Sequence, residues 1–272
     1  MRVNQLLSSA GIEAADAQVL LASVLGVDRS WLLAHATDNV ARDRALAFEE
    51  TCLRRAGGEP VAYILGERSF YGRSFSVTPD VLVPRPATEG LVEAVMRLYK
   101  KIVQYEPLRW HTEEVDSGIV AAVLLRERGT LPPLLVDIGT GSGCIAVTLA
   151  CELPETDVIA TDVSSAALDV ARGNVERFGV GARVNLRRGS LLQPLAGERR
   201  PFILVSNPPY VPEKVDLPAD VRREPASAIV AGADGMDVLH PLIREAWNHP
   251  SCYGIAVECR AEQVARFPVV SA

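Results

Sequence analysis

Leu134-Leu135-Val136-Asp137-Ile138-Gly139-Thr140-Gly141-Ser142-Gly143 is the stretch that decides the fold. Residues 134–138, apolar apart from Asp137, read as a strand buried on both faces. The three alternating glycines that follow let the backbone turn tightly and approach a ligand before a helix begins. Residues 144–153 are apolar enough to be that helix. Working outward, 158–162 reads as a second strand, 164–178 as a second helix, 183–186 as a third strand and 202–206 as a fourth. A helix over 235–247 and a fifth strand over 253–258 complete the pattern. This alternation predicts an α/β fold with a doubly wound, mainly parallel sheet.

Asp162 falls at the end of the second strand, about twenty residues beyond the glycine loop, where an acid accepts hydrogen bonds from ribose hydroxyls. Strand, glycine loop, helix, strand and acid together point to an adenosine-containing cofactor. Asn207-Pro208-Pro209-Tyr210 stands at the end of the fourth strand. An Asn side chain carries one acceptor and two donors. Two prolines fix φ and remove both N–H groups, so their carbonyls are free to point elsewhere. With the aromatic ring, the set can hold a planar –NH2 group by both hydrogens and cover its flat face. A hydride-transferring enzyme would need a second domain to bring its acceptor, whereas methyl transfer needs only such a clamp.

The chain has 272 residues, 48% hydrophobic and 23% charged, a globular composition. Its net charge of −6 argues against a protein that binds chiefly by neutralising nucleic-acid phosphates. Five scattered cysteines without a C-x-x-C pair suit a reducing compartment, and four histidines show no metal-ligand spacing. With no signal-like N-terminus and no apolar run of membrane length, a cytoplasmic, soluble, metal-free monomer is expected.

Residues 1–68 read as a small helical domain, with helix ends at Gly11, Gly26 and Gly57-Gly58. Residues 69–87 read as a β-hairpin connector. Thr88 is expected to cap a helix through Leu91, Val95 and Leu98. A loop around Lys100, Lys101 and Pro107, an amphipathic helix over 112–128 and a stop at Pro132-Pro133 are expected next. The main domain is taken as 88–272.

The segment 205–210 resembles the signature of S-adenosylmethionine-dependent amino-methyltransferases, a signature shared with adenine-N6 DNA methyltransferases. More specific are Glu59-Pro60, Tyr63 to Gly66, Phe70-Tyr71-Gly72, Val83-Pro84-Arg85-Pro86 with Thr88-Glu89, Glu224-Pro225 and Gly232-Ala233-Asp234-Gly235. With them the chain is similar to the peptide chain release factor N5-glutamine methyltransferases, the PrmC/HemK family. The resemblance covers most of 1–99 and 134–263. It implies a class I, Rossmann-like methyltransferase domain behind a helical domain that docks the protein substrate. It also implies S-adenosyl-L-methionine as cofactor and the glutamine of a Gly-Gly-Gln motif as methyl acceptor.

On that resemblance the cofactor would lie on Asp137, Gly139, Thr140, Gly141, Ser142, Gly143, Asp162, Leu191 and Asn207. Asn207 and Pro208 would accept the amide hydrogens, and Pro209 and Tyr210 would complete the substrate clamp. Two other readings stand beside it, an adenine-N6 methyltransferase and a non-catalytic binding protein. The sequence departs from the family in three places. Ser190 and Leu191 stand where an acid and an aromatic residue often contact adenine. Residues 100–133 look like an insertion. The two strands that normally close the sheet are missing after the fifth, so an exposed edge is expected there.

Overall fold

The computed structural model describes residues 1–103, 111–116, 118–125 and 134–267, which divide into two compact units. The first comprises Met1–Glu67 and Leu217–Arg223. Its helices are α1 (Val3–Ser9), α2 (Ala14–Leu25), α3 (Arg29–Ala34), α4 (Arg42–Ala56) and α5 (Val61–Leu65). Leu6, Leu20, Leu21, Leu32 and Phe48 meet in its core. Gly26 ends α2 in the left-handed region, and its N–H reaches the carbonyls of Ala22 and Ser23. Arg55 on α4 holds Asp16 on α2 at 2.6 Å. The later segment joins this unit where Arg223 donates to the Gly57 carbonyl at 2.8 Å.

The second unit, Arg68–Asp216 and Glu224–Ala272, holds the sheet. Strands β1 (Glu67–Phe70) and β2 (Arg73–Ser76) form the expected hairpin. Tyr71 and Gly72 turn it with φ of 49° and 71°, both left-handed, as a twisted two-residue turn requires. Then come α6 (Pro86–Val103), β3 (His111–Asp116), β4 (Ile119–Leu125), β5 (Leu134–Ile138), α7 (Cys144–Glu152), β6 (Val158–Asp162) and α8 (Ser165–Arg177). Next are β7 (Val184–Arg188), β8 (Phe202–Ser206), α9 (Leu239–Asn248), β9 (Cys252–Arg260) and α10 (Ala261–Val264). The sheet runs β3-β4-β9-β8-β5-β6-β7. From β9 to β7 every neighbour is parallel, which gives the doubly wound sheet expected from the alternation.

The structure corrects four expectations. Residues 112–128 form no amphipathic helix: their described part is the antiparallel pair β3 and β4. Gly118, at φ +74°, turns between the strands, and 119–125 is a continuous apolar run without a polar helical face. Nor does β9 expose an edge. β4 lies antiparallel along it from Ile119 opposite Arg260 to Leu125 opposite Gly254. Ala121 and Val123 enter the core on one face of the sheet, and Val120 and Ala122 the core on the other. The apparent insertion thus provides the strand that covers the fifth parallel strand. Lys100 lies within α6 and not in a loop, while Pro107, Arg128, Pro132 and Pro133 lie outside the described residues. Finally, α6 begins at Pro86, a residue suited to a first helical turn, so Thr88 is not its cap.

Candidate functional site

Connections leave β5 toward β6 and β7 on one side, while β8 and β9 lie on the other. The crevice beyond the carboxyl ends of β5 and β8 is therefore the switch point where open α/β sheets bind ligands. The glycine loop follows β5 and Asn207 follows β8. The Ser206 hydroxyl donates to the Ile138 carbonyl at 2.7 Å and ties the two strand ends together.

Gly139, Gly141 and Gly143 have φ of +72°, +55° and +80°. A Cβ on Gly143 would come within 3.3 Å of Ala171, so that glycine also allows α7 and α8 to approach. At Gly139 and Gly141 a Cβ would meet nothing within 4 Å, so their backbone faces open space. The loop is held from below. Gly139 and Thr140 both donate their N–H groups to the Thr161 carbonyl. Asn174, buried on α8, donates to the Ser142 carbonyl at 2.8 Å and exchanges two hydrogen bonds with the Ser76 backbone.

Asp137 is buried. Its Oδ2 accepts from the Thr140 hydroxyl at 2.7 Å and from the Ala146 N–H at 3.2 Å. Oδ1 has no hydrogen-bond partner. Burial pushes its pKa up to about 7, although the Thr140 and Ala146 bonds oppose the rise. A buried carboxylate with an idle oxygen, beside backbone open on one side, suits a ligand that brings an N–H or a cation. Asp162 uses both oxygens on backbone: Oδ2 accepts from Gly141 and Oδ1 from Ser164, each at 2.9 Å. It shapes the loop first, and each oxygen keeps a second lone pair for a hydroxyl. Ser190 and Leu191 follow β7 on the same edge of the sheet. Leu191 has φ +47°, a strained value for a branched side chain.

The second group gathers at the end of β8. Asn207 donates Nδ2–H to the Thr88 hydroxyl at 2.9 Å, leaving Oδ1 as a free acceptor direction. The Tyr210 hydroxyl donates to Glu258 Oε1 at 2.9 Å. Gln263, buried on α10, donates to the Tyr210 carbonyl at 2.9 Å and the Gly235 carbonyl at 3.1 Å. Gly235 lies so close that a Cβ would stand 2.2 Å from the Tyr210 oxygen. The piece that ends at Gly235 thus packs against the end of the Asn207–Tyr210 piece, twenty-five residues earlier in the chain. Glu224 likewise accepts from the Val83 N–H at 2.9 Å and from Arg85 at 2.5 Å, fixing the stiff segment before α6.

Glu258, Thr88 and Gln263 escaped the reading of the sequence as site residues. Glu258, like Asp137 and Asp162, is an acid near the carboxyl end of an apolar parallel strand, but nothing local in the sequence ties it to Tyr210. Register brings it into place, since Ser206 pairs with Val257. It is buried, and burial raises its pKa against the opposing influence of Thr88, Tyr210 and Asn207. Burial also raises the Tyr210 phenol, with the Glu258 charge adding to the effect. Among the described residues no cluster of three or more His, Cys, Asp or Glu could hold a metal ion, and no helix is long and apolar enough to cross a membrane.

A mainly parallel sheet with a glycine loop after β5 and the Asn-Pro-Pro-Tyr segment after β8 defines a class I, Rossmann-like methyltransferase fold. Comparison with known proteins agrees. Residues 110–233 match the family described as methyltransferase small domain, and residues 2–66 match the PrmC N-terminal domain. A release factor glutamine methyltransferase of Bordetella pertussis is 39% identical over 239 residues, 87% of this chain and 77% of that one. One from Koribacter versatilis is 38% identical over 251 residues, covering 88% and 78%. One from Bacillus subtilis is 38% identical over 234 residues, covering 85% and 72%. The chain belongs to the release factor glutamine methyltransferase family.

Proposed function

We propose that the chain transfers a methyl group from S-adenosyl-L-methionine to the side-chain amide nitrogen, N5, of the Gly-Gly-Gln glutamine in a peptide chain release factor. The observation that carries this is the state of Asn207. With Nδ2 committed to Thr88, its Oδ1 is left as an acceptor at the switch point beside the glycine loop. An acceptor there, together with the Pro208 carbonyl, suits the two hydrogens of a primary amide. Pro209 and Tyr210 close the clamp over its flat face.

The cofactor residues are Asp137, Gly139, Thr140, Gly141, Ser142, Gly143, Asp162, Leu191 and Asn207. Asp137 Oδ1, otherwise idle, suits the cofactor's amino group, and the second lone pairs of Asp162 suit its ribose. The bound cofactor supplies a methyl carbon on a sulfonium. The amide nitrogen's lone pair forms the new C–N bond, the C–S pair stays on sulfur, and one N–H proton leaves to solvent. Amide nitrogen is a weak nucleophile, so alignment by the clamp is the chain's main contribution, and such positioning can supply about 7–11 kcal/mol. The helices of 1–68 dock the protein substrate, and the enzyme works as a cytoplasmic monomer.

Methyl transfer from labelled S-adenosylmethionine to a purified release factor tests this. Label should appear on the Gly-Gly-Gln glutamine and vanish with Asn207→Ala. Equal labelling by both proteins, or label entering DNA and no release factor, would overturn the reading.

A further inference from the structure

Thr88 and Glu258 stand behind the clamp, each bonded to one of its residues. Thr88 Oγ1 accepts the Asn207 Nδ2–H, so the hydroxyl's own proton must be donated elsewhere. Glu258 Oε2 is buried without a hydrogen-bond partner, while Oε1 takes the Tyr210 hydroxyl, and Thr88, Tyr210 and Asn207 all act on that carboxylate. A buried acceptor left without a partner is costly, and a Thr88 hydroxyl proton turned toward it would relieve that cost.

The geometry points to Glu258 as a positioning residue that sets the polarity of the clamp through Thr88 and Tyr210. An Asn amide can be placed either way round, and a hydroxyl neighbour accepts either placement because it both donates and accepts. A carboxylate only accepts. With Glu258 taking the Thr88 proton, Thr88 can only accept from Asn207, which turns Nδ2 inward and Oδ1 toward the substrate. The reversed amide would present –NH2 to the substrate's –NH2, two sets of donors facing each other. The Tyr210 hydroxyl, donating to Oε1, is fixed by the same carboxylate. Arg85, from the segment before α6, Cys259, next along β9, and Cys144, at the start of α7, are titratable groups that also act with this pair.

This rests on Asn207 being the clamp for the substrate amide, so the test has one arm that needs no substrate. In 15N-labelled protein the Asn207 side-chain amide is identified by its loss in Asn207→Ala. Wild type and Thr88→Ser, which keeps a hydroxyl, should both show one slowly exchanging Asn207 amide proton. Thr88→Val should lose that protection, and Glu258→Gln should weaken it. In the activity arm Glu258→Gln and Thr88→Val should lower kcat about 100-fold, as a misaligned reacting group does. Cofactor affinity should stay within about twofold, because the loss falls on the reacting geometry. Thr88→Ser should keep most of kcat. If wild type fails to label a release factor, the functional reading falls, while the amide exchange still judges the relay. If wild type labels it and Glu258→Gln matches its kcat with amide protection intact, the relay is wrong.

Discussion

The Ser206 hydroxyl donates to the Ile138 carbonyl across 2.7 Å, joining the last residue of β8 to the last of β5. Both groups are fully inside, at the point where the glycine loop and the clamp diverge. Ser206→Ala leaves that bond unmade in a buried place and should cost about 1–3 kcal/mol of stability in urea unfolding. It should also lower kcat more than it raises the KM for cofactor, since the distance between the two loops is what the bond holds. Loss of stability without any change in kcat would mean the loops are fixed by other means.

Asp137 gives the fold a pH dependence of definite sign. Its folded pKa, raised to about 7, lies above the ordinary aspartate value of 3.8, so the native state binds the extra proton between those values. Stability is therefore highest below about pH 4 as far as this group is concerned, and falls as pH rises to about 7. The penalty above that is on the order of 4 kcal/mol. Asp137→Asn should flatten this part of the curve, read from urea midpoints between pH 5 and pH 8. S-adenosylmethionine should bind more tightly through the same interval if its amino group meets the ionised Oδ1. A variant with the wild-type slope would assign the pH dependence to another group.

Strand β4 offers a test of the sheet's closure. Ala122 is fully buried on β4, opposite Val257 of β9 and within the core on one face of the sheet. Placing a carboxylate there should be as damaging as in any core strand, about 3 kcal/mol or more. Ala122→Asp should lower the thermal midpoint and, by freeing the edge of β9, promote aggregation on heating. Tolerance of this substitution would show that β4 is dispensable.

These cases explain what could be read from the sequence and what could not. The parallel strands were legible because each is a short apolar run bounded by loop residues, and the glycine loop because three alternating glycines have few other uses. The clamp was legible because two adjacent prolines cannot continue a strand or helix. The covering hairpin was not, since its partner β9 lies more than a hundred residues later and pairing across that distance leaves no local mark. Ala121 and Ala122 also favour a helix over a strand. Thr88 misled for a related reason: a Thr before an apolar helix commonly caps it, and only the fold shows its hydroxyl taken by Asn207. Glu258 and Gln263 gain meaning only when α10 and β9 come to rest beside Tyr210.

Gly235 should tolerate no side chain. Its φ is +77°, and a Cβ would fall 2.2 Å from the Tyr210 carbonyl oxygen and 2.7 Å from Gln263 Nε2. Gly235→Ala must move the clamp's backbone, at a cost of about 1–3 kcal/mol for overpacking on top of the left-handed strain. Activity should fall far more than circular dichroism or cofactor binding changes, because the displaced atoms belong to Tyr210. Full activity in this variant would place the Tyr210 backbone outside the working part of the site.

Leu191 reverses a usual order of substitution. A Gly in place of Ala ordinarily costs about 0.5–1 kcal/mol in regular structure. At φ +47° the left-handed strain on any residue with a Cβ is about 1–2 kcal/mol, and glycine escapes it. Leu191→Gly should therefore be more stable in urea than Leu191→Ala, although both lose the same contacts with the core beneath. Both should weaken S-adenosylmethionine binding alike, about tenfold by calorimetry, with kcat at saturating cofactor unchanged, as expected when uniform binding is removed. If both variants bind cofactor as wild type does, Leu191 takes no part in holding it.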